Sequence, residues 1–139
     1  MATAGTRLLT ISVGGTEYAA QVKKSVVTSQ AADGDSPTFG EASTGGAREY
    51  RLALTILQDH ATTTLWDKIW SSSGTTAAVI VRPYGNTTPT TSQPHYTGNV
   101  VISEPDGDFI GGEADSAVAT RWVTEVEWVF TAKPTKITA

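Results

Sequence analysis

The feature that most constrains the fold is the alternation of apolar and polar residues along several segments. In RWVTEVEWVFTA, residues 121–132, Glu125 and Glu127 lie on one face of an extended chain. The opposite face carries Trp122, Thr124, Val126, Trp128 and Phe130. A period of two is typical of a strand with one buried face, so this segment predicts a core strand with an acidic outer side.

A second segment, REYRLALTILQD at residues 48–59, alternates in the same way. Its apolar face carries Tyr50, Leu52, Leu54 and Ile56, and its polar face carries Glu49, Arg51, Ala53 and Thr55. Shorter strands are predicted at residues 76–85 and 95–103, the latter with a bulge at Gly98.

One segment has a helical period instead. In HATTTLWDKIWSSSG, residues 60–74, four apolar residues recur at helical spacing. Thr64 followed by Asp67 resembles a capping box, and Gly74 suits the C-cap. The pattern predicts a helix at about residues 64–72 that packs on the sheet. The predicted contact between helix and sheet consists of Leu65, Trp66, Ile69, Trp70, Trp122 and Trp128.

The beginning and end of the chain complete the predicted fold. RLLTISV, a Gly-Gly pair and TEYAAQV predict a hairpin whose second arm runs on toward Ser29. Residues 30–47, rich in Gly, Ser, Asp and Ala, predict a long loop, and residues 133–139 predict a loose tail. We therefore predict one mainly β domain, residues 1–139, built as a β-sandwich or open barrel of about six to eight strands with one flanking α-helix.

Composition excludes several classes of protein. The chain has 139 residues, a net charge of −4 and 17% charged residues, and no basic stripe favours specific binding of nucleic acid. It has no cysteine, which excludes disulfides, thiolate metal sites and cysteine nucleophiles. No secretory signal or bilayer-spanning apolar run is visible, so we expect a soluble protein made in a cytoplasm.

The motifs of common enzyme classes are absent from the sequence. It has no nucleophile elbow, phosphate-binding loop, zincin or dinucleotide motif, and His60 and His95 flank elements of different kinds. We therefore predict no catalytic residue, no cofactor and no metal. The acidic, glycine-rich turn at residues 104–115 does not match EF-hand spacing, and its binding of calcium stays an open question.

Long stretches of the chain resemble a known family. AREYRLALTILQDHATTTLWDKIWSSSGTTAAVIVRPYGNTTPTTSQPHYTGNVVI, followed later by EVEWVFTAKPTKIT, resembles the major tail (tail tube) proteins of long, non-contractile tailed bacteriophages, especially those of actinobacterial hosts. The resemblance covers most of residues 47–138. Its most specific parts are LWDKIW and VRPYGNTTPTTSQPHYTGNVVI, and residues 1–46 match more loosely.

The resemblance implies a structural protein of the virion tail, without enzymatic activity. In that family a β-sandwich or barrel with one outer helix assembles into hexameric rings, whose inner sheets join into a continuous β-barrel. The rings stack into a hollow tube around a tape-measure protein, and the tube later conducts genomic DNA without binding it specifically. The resemblance also implies a tail terminator as a partner, assembly in the host cytoplasm and no membrane. The long loop would make the contact between rings, here through Asp33, Asp35, Pro37, Phe39 and Glu41.

A DNA conduit would give the acidic strand faces a function. Carboxylates repel phosphate, whereas each cation facing the bore would retain it. We therefore expect Glu49, Arg51, Glu125 and Glu127 to face the lumen. Arg51 and Arg121 lie on the same faces and complicate this expectation, and both are expected to pair with carboxylates of a neighbouring strand. The alternative is that these faces simply meet solvent.

Two other classes of protein stay open. A monomeric β-sandwich could bind carbohydrate or protein, although the four tryptophans are expected in the core. A tail-associated relative, such as a terminator or completion protein, would share the fold. Rings or tubes in concentrated solution favour the tube subunit, whereas a strictly monomeric, glycan-binding chain favours the binding module.

Overall fold

The computed structural model describes residues 8–31, 39, 48–117 and 120–139. The described residues form eight β-strands, one α-helix and a short 3-10 turn. The strands are β1 (Thr10–Val13), β2 (Thr16–Glu17), β3 (Val22–Ala31), β4 (Arg48–Leu57), β5 (Thr76–Arg82), β6 (His95–Val101), β7 (Val123–Val129) and β8 (Thr135–Ile137). The helix, α1, is Leu65–Ser72, and the 3-10 turn is Ala19–Gln21.

The strands form two antiparallel sheets. One sheet has five strands in the order β2-β1-β5-β6-β8, and the other has three in the order β3-β4-β7. A bridge between Val100 and Phe130, just beyond the end of β7, connects the two sheets at one corner. The predicted mainly β sandwich with one helix is confirmed.

Two glycines turn β1 into β2. Gly14 and Gly15 have φ angles of 60° and 88°, the left-handed conformation that a two-residue hairpin turn requires and that glycine adopts without steric cost. The second arm of this hairpin is shorter than the sequence predicted. The 3-10 turn follows β2 and redirects the chain, so that β3 begins in the other sheet.

The core lies between the two sheets. Alternation turns the apolar side of β4 and β7 inward, and it leaves Glu125 and Glu127 exposed on the other side of β7. The buried residues of these two strands include Leu52, Leu54, Ile56, Val126 and Trp128. The five-stranded sheet contributes Ile11, Val13, Ala77, Val79, Val81 and Val100. The period of two therefore predicted the buried faces of β4 and β7 correctly.

Helix α1 begins at the predicted cap and packs on the core through part of the predicted face. The Thr64 hydroxyl oxygen accepts a hydrogen bond from the Asp67 N–H at 3.3 Å. The Leu65 N–H, free at the first turn of a helix, donates to the Gln21 side chain at 2.7 Å. Leu65 and Ile69 are fully buried, and Trp66 nearly so, which makes one side of the helix part of the core.

Two tryptophans predicted in the core are not buried. Trp70 is 54% exposed and Trp122 is 49% exposed, whereas Trp66 and Trp128 are buried as predicted. Trp70 lies one helical turn beyond Trp66, near the end of α1, where its ring contacts Trp66 and Phe109. Trp122 precedes the first residue of β7, so the alternation of that strand does not extend to it.

Three backbone predictions also need correction. The C-terminal segment is not a loose tail, because β8 pairs antiparallel with β6. Gly98 is not a bulge, since it pairs in register with Val79. Its missing side chain leaves room for Phe130, whose ring would lie 3.0 Å from a Cβ at that position. Gln30 and Ala31, predicted as the beginning of the long loop, belong to β3.

Candidate functional site

The outer face of the three-stranded sheet carries the residues predicted to line a lumen. The register places Ala53 opposite Glu127 and Thr55 opposite Glu125 across β4 and β7. It places Lys24 opposite Thr55 across β3 and β4. Paired residues of adjacent strands point to the same side of a sheet, and every second residue of a strand shares that side. Glu49, Arg51, Glu125 and Glu127 therefore all lie on this outer face.

Arg51 joins two carboxylates of the outer face. Its guanidinium donates to Glu127 at 2.8 Å and to Glu49 at 3.0 Å. The hydrogen bond to Glu127, followed by the one to Glu49, raises the pKa of Arg51. The expected pairing of this arginine with a carboxylate of a neighbouring strand is confirmed, and its charge is matched by carboxylates on both sides.

A loop adds acidic residues to this face that the sequence pattern did not place there. Residues 103–108 follow β6 and, together with the outer face, line a concavity of about 740 Å³. Its charged lining residues are Lys24, Glu104, Asp106, Asp108, Glu125 and Glu127. Five carboxylates against one lysine give a net charge of −4, so the surface repels anions. We call this surface the acidic concavity.

Two side chains hold the acidic loop beside β7. The buried Trp128 indole N–H donates to the Ser103 carbonyl at 3.1 Å. Farther along, the Gln58 amide donates to the carbonyls of Gly111 and Val123 at 3.0 Å each, and it accepts from the Gly111 N–H at 2.7 Å. These contacts tie both ends of residues 103–111 to the sheet, which fixes the carboxylates between them near the outer face.

Replacing Gln58 with alanine should lower the free energy of unfolding by about 1–3 kcal/mol, because partly buried backbone groups lose their partners. Gln30→Ala is the matched control. The Gln30 side chain is exposed and donates to Glu49 at 3.0 Å, so its loss should change stability by about 0.5 kcal/mol or less. Chemical denaturation measures both, and equal effects would show that Gln58 does not anchor the loop.

Strand β3 is an open edge of the three-stranded sheet. It is ten residues long and pairs with β4 along its length, and no strand of the described chain pairs with its other side. Val26 and Val27, on opposite faces, are 39% and 40% exposed. A long edge with exposed apolar residues is a template for pairing with another chain. Lys23 and Lys24 place charge only at its beginning.

A second surface is aromatic. His60 stacks on Trp66 with ring centroids 3.9 Å apart, and Trp66 stacks on Trp70 at 5.5 Å. Phe109 tilts against both tryptophans, and its carbonyl accepts the Trp66 indole N–H at 2.9 Å. Trp70 and the neighbouring Ile110 are exposed, so this cluster leaves apolar area open to solvent.

The two histidines and the acidic turn contact other parts of the structure. The His95 Nε2 atom lies 2.9 Å from the Asn86 carbonyl, and His60 belongs to the aromatic surface. The Asp115 carboxylate accepts from the Ala117 N–H at 2.9 Å, as in a turn. Within the described ranges, no three His, Asp or Glu side chains are grouped so that they could hold a metal ion. The first part of the acidic turn contributes the carboxylates of Glu104, Asp106 and Asp108 to the acidic concavity.

Most of the predicted ring-contact loop lies outside the described residues. Asp33, Asp35, Pro37 and Glu41 are among these, so their role stays a prediction. Phe39 is described, and its side chain is 97% exposed. A ring so exposed adds almost no hydrophobic stabilisation to its own domain. The exposure leaves Phe39 available to another surface.

Two further observations bear on the class of protein. In the part of the chain that the structure describes, no helix combines the length and apolar character needed to cross a membrane. No protein-family model matches the chain, and no curated protein is significantly similar to it in sequence. The three-stranded sheet and the acidic concavity are therefore the structural features from which a function is inferred.

Proposed function

We propose that this chain is a structural, self-assembling subunit of a phage tail tube, with no enzymatic activity. Copies form rings, six to a ring by the resemblance, and the rings stack into a hollow tube that conducts genomic DNA. The observation that carries the proposal is the three-stranded sheet, which combines an open edge strand with an acidic outer face. The tape-measure protein, the tail terminator and the location in the virion tail follow from the resemblance.

Pairing between sheet edges would close the ring. In the proposed ring, β3 of one copy pairs with β7 of the next, whose partner within the described chain is β4. Such pairing satisfies the backbone N–H and C=O groups that an edge strand leaves open. Six copies of three strands make a barrel of eighteen, about 35 Å across between facing backbones at the usual strand spacing and tilt. With side chains pointing inward, its bore still admits a DNA duplex.

The charge of the outer face suits a conduit. Six copies at −4 each give −24 per ring, and the acidic concavity alone accounts for a net −4 per copy. Arg51 is held between Glu49 and Glu127, and Lys24 is the single cation among the residues that line the acidic concavity. Proteins bind DNA through cations that replace counterions on phosphate. A bore lined in this way would therefore let DNA pass without retaining it.

Proline substitutions in β3 test the edge directly. Successive N–H groups of a strand point to opposite sides, so one of Thr28→Pro and Ser29→Pro removes a donor to β4 and the other removes a donor from the open edge. The variant that keeps the ladder to β4 should melt close to the wild type yet stay monomeric. Size-exclusion chromatography at rising concentration measures this.

The controls for the proline variants are Thr28→Ala and Ser29→Ala, which keep both backbone donors and should assemble as the wild type does. Thermal melting, monitored by circular dichroism, identifies which proline variant retains the hydrogen bonds between β3 and β4. If both proline variants form rings as readily as the alanine controls, β3 is not the edge that closes the ring.

A monomeric binding module is the second candidate function, because two tryptophans are exposed. The Trp122 indole N–H donates to the Glu113 carbonyl at 2.9 Å, and its ring lies on Gly112, where a Cβ would be 2.6 Å away. The ring is thus held rigidly at the surface, as in many binding sites. A strictly monomeric chain whose tryptophan fluorescence responds to glycans, and no longer does so after Trp122→Ala, would favour this function.

A further inference from the structure

The sandwich has an apolar groove on the side of β3 that faces inward. The groove has a volume of about 520 Å³, and its walls include Leu9, Val27, Tyr50, Val81 and Tyr96. Lys133 and Lys136 also line it, and none of its lining residues is a carboxylate. It therefore combines an apolar floor with two positive charges.

The groove exists because β3 is incompletely covered. Val27 lies opposite the fully buried Leu52 in the register of β3 and β4, so its side chain points to the inner side of the sheet. It is nevertheless 40% exposed. Apolar area left open between two sheets favours an occupant that removes it from water.

Residues 32–47 have the composition that such an occupant needs. They contain the three carboxylates Asp33, Asp35 and Glu41 and no lysine or arginine, which complements the two lysines of the groove. Phe39 is their single aromatic residue, and its side chain is 97% exposed. Because a cavity of about 150 Å³ already holds a benzene ring, the groove has room for this side chain and its neighbours.

We propose that this groove is the docking site for the Phe39 segment of a second copy of the chain. The donor is a second copy because Phe39 of the same chain is exposed and does not fill the groove. The proposal rests on the proposed function, since assembly supplies the neighbouring copy. It adds to that function the surface that receives the loop, and it assigns the ring of Phe39 to the apolar floor and the carboxylates of residues 32–47 to Lys133 and Lys136.

Crosslinking between cysteine variants tests the docking. The chain has no cysteine, so each introduced thiol is unique. Phe39→Cys protein is mixed with Val27→Cys protein under assembly conditions and treated with a short bis-maleimide. The matched control is Val26→Cys, which has nearly the same exposure but lies on the opposite face of β3. We expect the covalent dimer with Val27→Cys to form at least about tenfold faster than with Val26→Cys, because only the former lines the groove.

A charge variant provides a second measurement. With Lys133→Glu and Lys136→Glu added to the Val27→Cys protein, crosslinking to Phe39→Cys should slow severalfold, because the carboxylates of the segment then meet like charges. Rising salt should slow the original reaction and speed this one. If the crosslinking rate depends neither on the lysine substitutions nor on salt, the electrostatic part of the proposal is wrong.

Three outcomes would overturn the docking itself. They are equal rates for Val26→Cys and Val27→Cys, no dimer in samples that have assembled, and crosslinks found only within one chain of the Phe39→Cys, Val27→Cys double variant. The last outcome is measured because the eight residues from Ala31 to Phe39 can span up to about 27 Å. Tubes that form without the crosslink would refute docking in the groove but not the proposed tube. Crosslinked dimers that form no rings would support docking in the groove and refute the proposed tube.

Discussion

Replacing Trp128 with alanine should destabilise the domain by about 3–5 kcal/mol, the usual cost of removing a large buried aromatic side chain. Trp128 is fully buried between the sheets, and its indole N–H donates to the Ser103 carbonyl. The substitution leaves a cavity and an unpaired carbonyl at the start of the acidic loop. We expect the melting temperature, followed by circular dichroism, to fall by about 10–20 °C.

Trp70→Ala is the matched control for this prediction. Trp70 is 54% exposed, and its ring contacts Trp66 and Phe109 at the surface, so its loss should cost about 1 kcal/mol. Two truncations of the same side chain should therefore differ severalfold in their effect. Equal destabilisation would place Trp70 in the core, as the helical period alone predicted.

Replacing Glu125 and Glu127 with lysine should convert a tube that does not bind DNA into one that retains it. The ring gains about 24 positive charges, from two sites, a change of two at each and six copies. The domain should still fold, because both side chains are exposed on the outer face of β7. Fluorescent duplex DNA should co-sediment with variant tubes at low salt and be released as salt rises, since affinity from phosphate contacts falls steeply with salt.

The control for the Glu125→Lys, Glu127→Lys variant is Glu17→Lys with Glu113→Lys, an equal change of charge at two residues that do not line the acidic concavity.

Phage carrying the Glu125→Lys, Glu127→Lys variant should eject DNA slowly or incompletely at low salt, and ejection should recover at high salt. If the control retains as much DNA as the Glu125→Lys, Glu127→Lys variant, or if that variant retains none, the outer face of this sheet does not line the bore.

The sequence predicted those parts of the fold that depend on local period. The faces of β4 and β7 followed from alternation, and the helix followed from Leu65 and Ile69 together with its Thr64 cap. Period tells which side of an element is apolar, but it does not tell how far the covering layer extends. Trp70 shares a face with Trp66 and is exposed because the packing ends before it, at the ring of Phe109.

Features that depend on pairing distant segments could not be predicted in this way. The three residues of β8 are too few to show a period, yet β6 pairs with them through backbone hydrogen bonds that do not depend on an apolar pattern. Likewise, nothing local in EPDGD indicated that residues 104–108 lie beside Glu125. That placement depends on Trp128 in β7 and on Gln58, just after β4, whose side chains reach the loop.

The candidate site was therefore predicted in part. The common face of Glu49, Arg51, Glu125 and Glu127 and the pairing of Arg51 followed from the strand pattern. The added carboxylates of the acidic loop and the apolar groove beside Val27 did not, because both are made by segments that are far apart in the chain. Assembly into a tube stays a prediction from the open edge, the acidic face and the resemblance.

Negative-stain electron microscopy of the full chain at rising concentration tests the central claim most directly. Because pairing of β3 with a neighbouring copy depends on concentration, the account predicts monomers at low concentration. At higher concentration it predicts sixfold rings, and then tubes with a stain-filled bore. A chain that stays strictly monomeric at every concentration would contradict the account.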